Sequence, residues 1–200
     1  MERAPNDPVS ALVNQFMALP SDIRLQKAFT FVRDIPYGQI GSRDPYDVLA
    51  KLKGTCSGKH ALLKLVFEGL GYQAKPFLAR HDLSKLPIDP WPPPLMPFRA
   101  DRIEDYHNFL KVKLRNKWIT VDCVFDKPLE NLGFSVADWD GASNMPVAVN
   151  VEKVISVSND IESRKTLLLN HLSSVARQRR EEFFRTLTSW LDEERRLGLD

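Results

Sequence analysis

Between Tyr106 and Phe125, apolar and polar residues alternate in two runs separated by Arg115-Asn116, and this stretch constrains the fold more than any other. Alternation with a period of two marks a half-buried strand, and a two-residue break between such runs reads as a tight hairpin turn. With that turn Leu114 lies opposite Lys117, and counting outward sets Phe109 opposite Asp122 and His107 opposite Val124. One face then carries Leu110, Val112, Leu114, Ile119, Val121 and Cys123, a nearly all-apolar set that belongs against a core. The other carries His107, Phe109, Lys111, Lys113, Trp118, Thr120, Asp122 and Val124. On it His107 and Asp122 are diagonal neighbours with backbones roughly 7 Å apart, within reach of an imidazole–carboxylate hydrogen bond. A slip of one residue would send them to opposite faces.

The second constraint is an apolar helix opening at Cys56. Gly54-Thr55-Cys56-Ser57-Gly58 is a small-residue turn, after which Ala61, Leu62, Leu63, Leu65, Val66, Phe67 and Leu70 cover most of a helical circumference. Only Ser57, Lys64 and Glu68 form a polar stripe, so the segment predicts a buried central helix, closed by a left-handed Gly71. A thiol at its first turn feels the partial positive charge of unpaired N–H groups, which favours the thiolate.

Upstream, Ser21 reads as the N-cap of a helix running through Val32 and ending before Pro36, with another helix over Val9 to Leu19. Asp44-Pro45 starts a short helix over Tyr46 to Leu52. Tyr72 to Leu78 and Met145 to Val157 have strand character, and from about Asp160 the chain is helical, with Phe183, Phe184, Leu187 and Leu191 on one face. Prolines at 87, 90, 92, 93, 94 and 97 predict an irregular loop from His81 to Arg102. Long loops in compact domains are often functional, so its Trp91 and Phe98, with Phe109 on the hairpin, are candidates to face a substrate. The expected fold is α+β: a helix bearing Cys56 packed on an antiparallel sheet over residues 1–157, and a helical extension over 158–200.

A net charge of +2, with Lys and Arg dispersed and no interleaved aromatics, gives no reason to expect nucleic acid. The residues Arg177, Arg179 and Arg180 stand beside Glu181 and Glu182 and read as a mixed, solvated helix surface. Two cysteines without a CxxC pair suit a reducing compartment. The first seven residues lack the basic and apolar segments of a signal peptide, and no apolar run approaches membrane-spanning length, so a cytoplasmic location and no membrane partner are expected. Nothing in the pattern specifies an oligomeric state.

A Cys, a His and an Asp are the parts of nucleophilic acyl transfer: the His takes the thiol proton and returns it to a leaving amine, and the Asp fixes its tautomer. The bland alternative is that a buried Cys at a helix start is a small core residue. Cys123 projects to the apolar face and reads as core. His60, one turn after Cys56, either borders the site or lies at the helix edge. His81 and His171 read as structural or solvent-facing. Zinc on Cys56 and His60 with His107 or Cys123 fits no common ligand spacing, so neither a metal nor a cofactor is expected.

These residues resemble the transglutaminase-like superfamily, a papain-like fold with a Cys-His-Asp triad. The matching segments are Gly54-Thr55-Cys56-Ser57-Gly58, Gly69-Leu70-Gly71-Tyr72-Gln73-Ala74, His107-Asn108-Phe109 and Trp118-Ile119-Thr120-Val121-Asp122, within residues 20 to 126. The resemblance implies Cys56 as nucleophile, His107 as base and Asp122 as orienting carboxylate. An upstream aromatic or amide side chain often assists the oxyanion hole, for which Tyr37 and Gln39 are available. Cross-linking members commonly carry Trp two residues after the His and Pro-Thr after the Asp; here Phe109 and Cys123-Val124 stand there. The chain looks like the compact microbial type, often regarded as thiol hydrolases or proteases.

The implied activity is acyl transfer from an amide or peptide bond through a thioester, with water as acceptor: a thiol amidase or peptidase acting on a protein, peptide or small amide. Alternatives are a protein-glutamine transglutaminase using an amine, an arylamine acetyltransferase, and a non-catalytic module whose Pro-rich loop and C-terminal helices bind a protein.

Overall fold

The computed structural model describes residues 7–156 and 160–198. The expected boundary at 157/158, most of the N-terminal segment read for a signal, and Val157 lie outside the described residues. The helices are α1 (Pro8–Met17), α2 (Ser21–Arg33), α3 (Pro45–Lys51), α4 (Cys56–Gly69), α5 (Ile161–Asn170) and α6 (Ser174–Arg196). The strands are β1 (Ala74–Asp82), β2 (Glu104–Leu114), β3 (Lys117–Val121) and β4 (Lys153–Ser156), forming one antiparallel sheet in the order β3-β2-β1-β4. Helix and antiparallel sheet combine as the α+β reading expects.

Local chemistry sets most of the helix starts. Asp7 accepts the Ser10 N–H at 2.9 Å and Asp44 the Tyr46 N–H at 2.7 Å, each followed by Pro, whose missing N–H costs nothing in a first turn. The entry to α2 differs from expectation: Pro20 occupies the cap with no side-chain hydrogen bond, and Ser21 is the first helical residue. Past α4, Gly71 adopts φ +89°, the left-handed conformation glycine tolerates. Near its start, a Cβ on Gly58 would lie 2.6 Å from Val48 Cγ2, so glycine lets α3 pack directly on the first turn.

The hairpin forms in the even register. Arg115 and Asn116 take φ 47° and 64°, the left-handed pair whose twist matches a two-residue hairpin, and the ladder runs from Leu114↔Lys117 to Leu110↔Val121. It stops there, short of the predicted Phe125, because the next backbone donors go elsewhere. The Cys123 N–H is donated to His60 Nε2 at 3.0 Å and the Val124 N–H to Asp122 Oδ1 at 3.2 Å.

β1 runs past Leu78 to Asp82 and sets Ala79 opposite His107 and His81 opposite Asp105. The segment from Met145 forms a strand only at Lys153–Ser156. The Pro-rich stretch is less irregular than predicted, holding 3-10 turns at Leu83–Lys85 and Pro93–Phe98.

Two large apolar cores flank the sheet, and a smaller cluster of Leu78, Tyr106 and Leu169 packs α5 against it. The first joins α1, α2 and α4 to Leu110, Val112, Ile119, Val121 and Cys123, the predicted apolar face. The second gathers Cys56, Ala79, Phe98, Phe109 and Phe125 under Phe183, Phe184, Leu187 and Leu191 of α6. The two cysteines therefore lie in different cores. Among the described residues no helix is long and apolar enough to cross a membrane.

Candidate active site

β3 ends at Val121, so residues 104–109 of β2 are unpaired on that side among the described residues. The start of α4 sits against this free edge. His107 and Asn108 leave opposite faces of β2, yet the His107 ring lies close enough to the Cys56 thiol to lower it while Asn108 Oδ1 accepts from Ser57 Oγ at 3.0 Å. The free edge thus lets one helical turn meet side chains from both faces.

The His107–Asp122 pair forms as the register requires, with Nε2 and Oδ2 2.7 Å apart. Asp122 Oδ2 also accepts the Ala148 N–H at 2.9 Å, which fixes the carboxylate. Burial alone would raise the Asp122 carboxyl, but the charge and hydrogen bond of His107 hold it well below the usual carboxylate range. Burial opposes protonation of His107, and the Asp122 charge overrides it, raising the imidazole to about 9. For Cys56, burial pushes the thiol up; the Lys165 ammonium first, then the hydrogen bond with His107, bring it down to about 5. Both shifts favour a thiolate–imidazolium pair over a thiol and a neutral imidazole.

His60 lies fully inside rather than at the helix edge. Its Nδ1 is 2.7 Å from the Cys56 carbonyl, and its ring centroid is 5.7 Å from that of His107. Two neighbours make opposite demands on Nε2: the Cys123 N–H needs a lone pair there, while Asp122 Oδ1 at 3.2 Å favours a proton. The backbone N–H cannot rotate away, so the neutral tautomer with Nδ1–H donating to Cys56 O satisfies the geometry. His60 thereby ties the Asp122 loop to the turn that carries Cys56.

Lys59, also buried, does the same on the other side. Its ammonium donates to the carbonyls of Arg33, Ile35 and Val124 at 2.8, 2.7 and 2.8 Å, joining the end of α2 and the Asp122 loop to α4.

His81, read as structural or solvent-facing at the start of the loop, is not solvent-facing: it is buried in β1 on the His107 face, 6.2 Å away between ring centroids. It faces Asp105 at 3.4 Å, and Arg180 of α6 grips the same carboxylate at 2.6 Å. Arg180 is therefore part of the site's wall, not the solvated surface its neighbours in sequence imply.

A cavity of about 70 Å³ opens beside Cys56, lined by Tyr37, Gln39, Lys165, Arg180 and Phe184 among others. Tyr37 is buried and held by its N–H, donated to Asp126 Oδ1 at 2.7 Å; Gln39 is exposed at the cavity's edge. Burial, then the charge on Cys56, push the Tyr37 phenol well above its usual value, so it stays a donor. Trp91, Phe98 and Phe109 do not line this cavity. Phe98 packs edge-on against Phe183 at 5.3 Å, Phe109 stacks on Phe77 at 5.5 Å, and Trp91 donates to the Leu86 carbonyl. Apolar burial under α6 claims Phe98 and its loop, so the loop roofs the second core rather than the thiol.

Lys165 is the residue sequence reasoning missed. It comes from α5, is 2% exposed, and places Nζ 3.7 Å from Cys56 Sγ. A lone Lys on a short helix reads as surface, and only its partners 57 to 109 residues away mark it otherwise. Among the described residues no group of three or more His, Cys, Asp or Glu side chains could hold a metal ion.

No family model matches the sequence, and no curated protein does. Among solved structures, the chain is similar to a "putative cysteine protease" from Cytophaga hutchinsonii, with 15% identity and a TM-score of 0.43. The match covers 76% of this chain and 52% of that one, so the chain spans about half that protein's length.

Proposed function

We propose that the protein is a transglutaminase-like cysteine acyltransferase that hydrolyses an amide or peptide bond through a thioester on Cys56. The observation that carries this reading is the Cys56–His107–Asp122 relay, with a 2.7 Å His–Asp contact and a thiol lowered to about 5. The thiolate attacks the carbonyl carbon, forming the S–C bond and moving the π electrons onto oxygen. N–H groups at the start of α4 and the Tyr37 phenol are the donors available to that oxyanion. Collapse restores the carbonyl and breaks the C–N bond as His107 gives its proton to the departing amine. Water then attacks the thioester, His107 takes its proton, and the thiolate leaves.

Incubation with 4-nitrophenyl acetate tests the reading. One acetyl group is expected on the Cys56 peptide by mass spectrometry, lost with time in water and faster with an added primary amine if the acceptor is an amine. Equal acetylation of Cys56→Ala, or no acetylation of Cys56, would leave a binding module as the better description.

A further inference from the structure

Resting on that reading, we infer that Lys165 is a fourth catalytic side chain, a cation delivered by α5 that stabilises the nucleophilic thiolate and then the oxyanion that succeeds it. An ammonium has three N–H donors, and three acceptors surround this one: Ser57 Oγ at 3.0 Å, Asn108 Oδ1 at 2.9 Å and Cys56 Sγ at 3.7 Å. Ser57 itself donates to Asn108 Oδ1, so the two oxygen partners form a fixed neutral cradle. Burying an ammonium against neutral oxygens alone is costly, and charges in protein interiors are found paired. Among the described residues the one group at hydrogen-bond distance that can carry the balancing charge is Cys56. The nearby carboxylate, Asp105, is already taken by Arg180 at 2.6 Å and faces His81. Lys165 and the thiolate therefore neutralise each other.

The pairing also suits the reaction. When Sγ bonds to the carbonyl carbon, its charge moves to an oxygen attached to that same carbon. The ammonium loses its anion at the moment a new one appears two bonds away, and it keeps its hold on Ser57 and Asn108 throughout. Return of the thiolate on deacylation restores the starting pair. His107 still carries every proton, so Lys165 adds electrostatic stabilisation without altering proton balance.

The test reads the thiol alone, through the rate of Cys56 alkylation by iodoacetamide between pH 4 and 9 in the full chain. Wild type is expected to show a midpoint near 5. Lys165→Met and Lys165→Gln should shift the midpoint upward by two pH units or more, lowering the rate at pH 6 at least tenfold, while Lys165→Arg keeps most of the wild-type profile. An unchanged midpoint in the neutral variants would overturn the inference, as would faster alkylation, which would make Lys165 a plug over the thiol. Loss of near-ultraviolet circular dichroism in both neutral variants would overturn it too, in favour of a structural cation. Turnover with an unchanged Lys165→Met profile defeats this inference alone; absence of Cys56 acetylation defeats the acyl-transfer reading.

Discussion

Replacing Lys59 with Met tests how the site is held to its scaffold. The ammonium satisfies three buried carbonyls at 2.7–2.8 Å, and Met fills the same space with no donor. Leaving a buried acceptor unpaired costs about 1–3 kcal/mol, so three cost about 3–9 kcal/mol. Against this, burial lowers the Lys59 ammonium from 10.5 to about 8, and relief of that penalty returns about 3 kcal/mol. The net loss is about 0–6 kcal/mol, and its central value of about 3 kcal/mol lowers the melting temperature of a chain this size by about 6–12 °C. The pH dependence carries a second signature. Because the folded value is depressed, between about pH 8 and 10.5 the unfolded chain keeps a proton that the folded one has released. Wild-type stability relative to Lys59→Met therefore rises across that window. A melting temperature within about 2 °C of wild type at pH 7, or a relative stability that falls from pH 8 to 10.5, would refute the reasoning.

Asp122→Asn keeps the shape but sets an amide donor either against the Val124 N–H or against the Ala148 N–H and His107, and removes the anion that raises His107 to about 9. Acetyl transfer from 4-nitrophenyl acetate should fall by about 10²–10⁴, and the His107 titration followed by NMR should move to lower pH. Gly58→Ala puts a methyl 2.6 Å from Val48 and should destabilise by about 1–3 kcal/mol in urea unfolding. Phe183→Ala, fully buried between Phe98 and Phe184, should cost about 3–5 kcal/mol.

The hairpin was legible because its information is local: a two-residue turn and a period-two pattern leave one register that buries Leu110, Val112, Ile119 and Val121 together. That register alone brings His107 to Asp122. The buried polar residues were not legible, because burial of Lys59, His60, His81 and Lys165 depends on partners that local pattern does not encode. Lys59 reaches carbonyls 24 to 65 residues away, and a Lys one position before His60 on a helix looks like any surface pair. The proline count misled in a specific way. It identified a segment that cannot enter the sheet but not what covers it, and the apolar stripe of α6 claims Phe98 for packing.

The separation of 109 residues between Cys56 and Lys165 has a consequence for synthesis. At about 5–20 residues per second, Cys56 leaves the ribosome some 5–20 s before the lysine proposed as its counter-ion. During that interval Lys165 cannot hold the thiol in its ionised form, and the surface later covered by α6 is bare. On the pairing proposed above, a counter-ion placed late in the chain times the reactivity of the thiol to the arrival of the helices that enclose it.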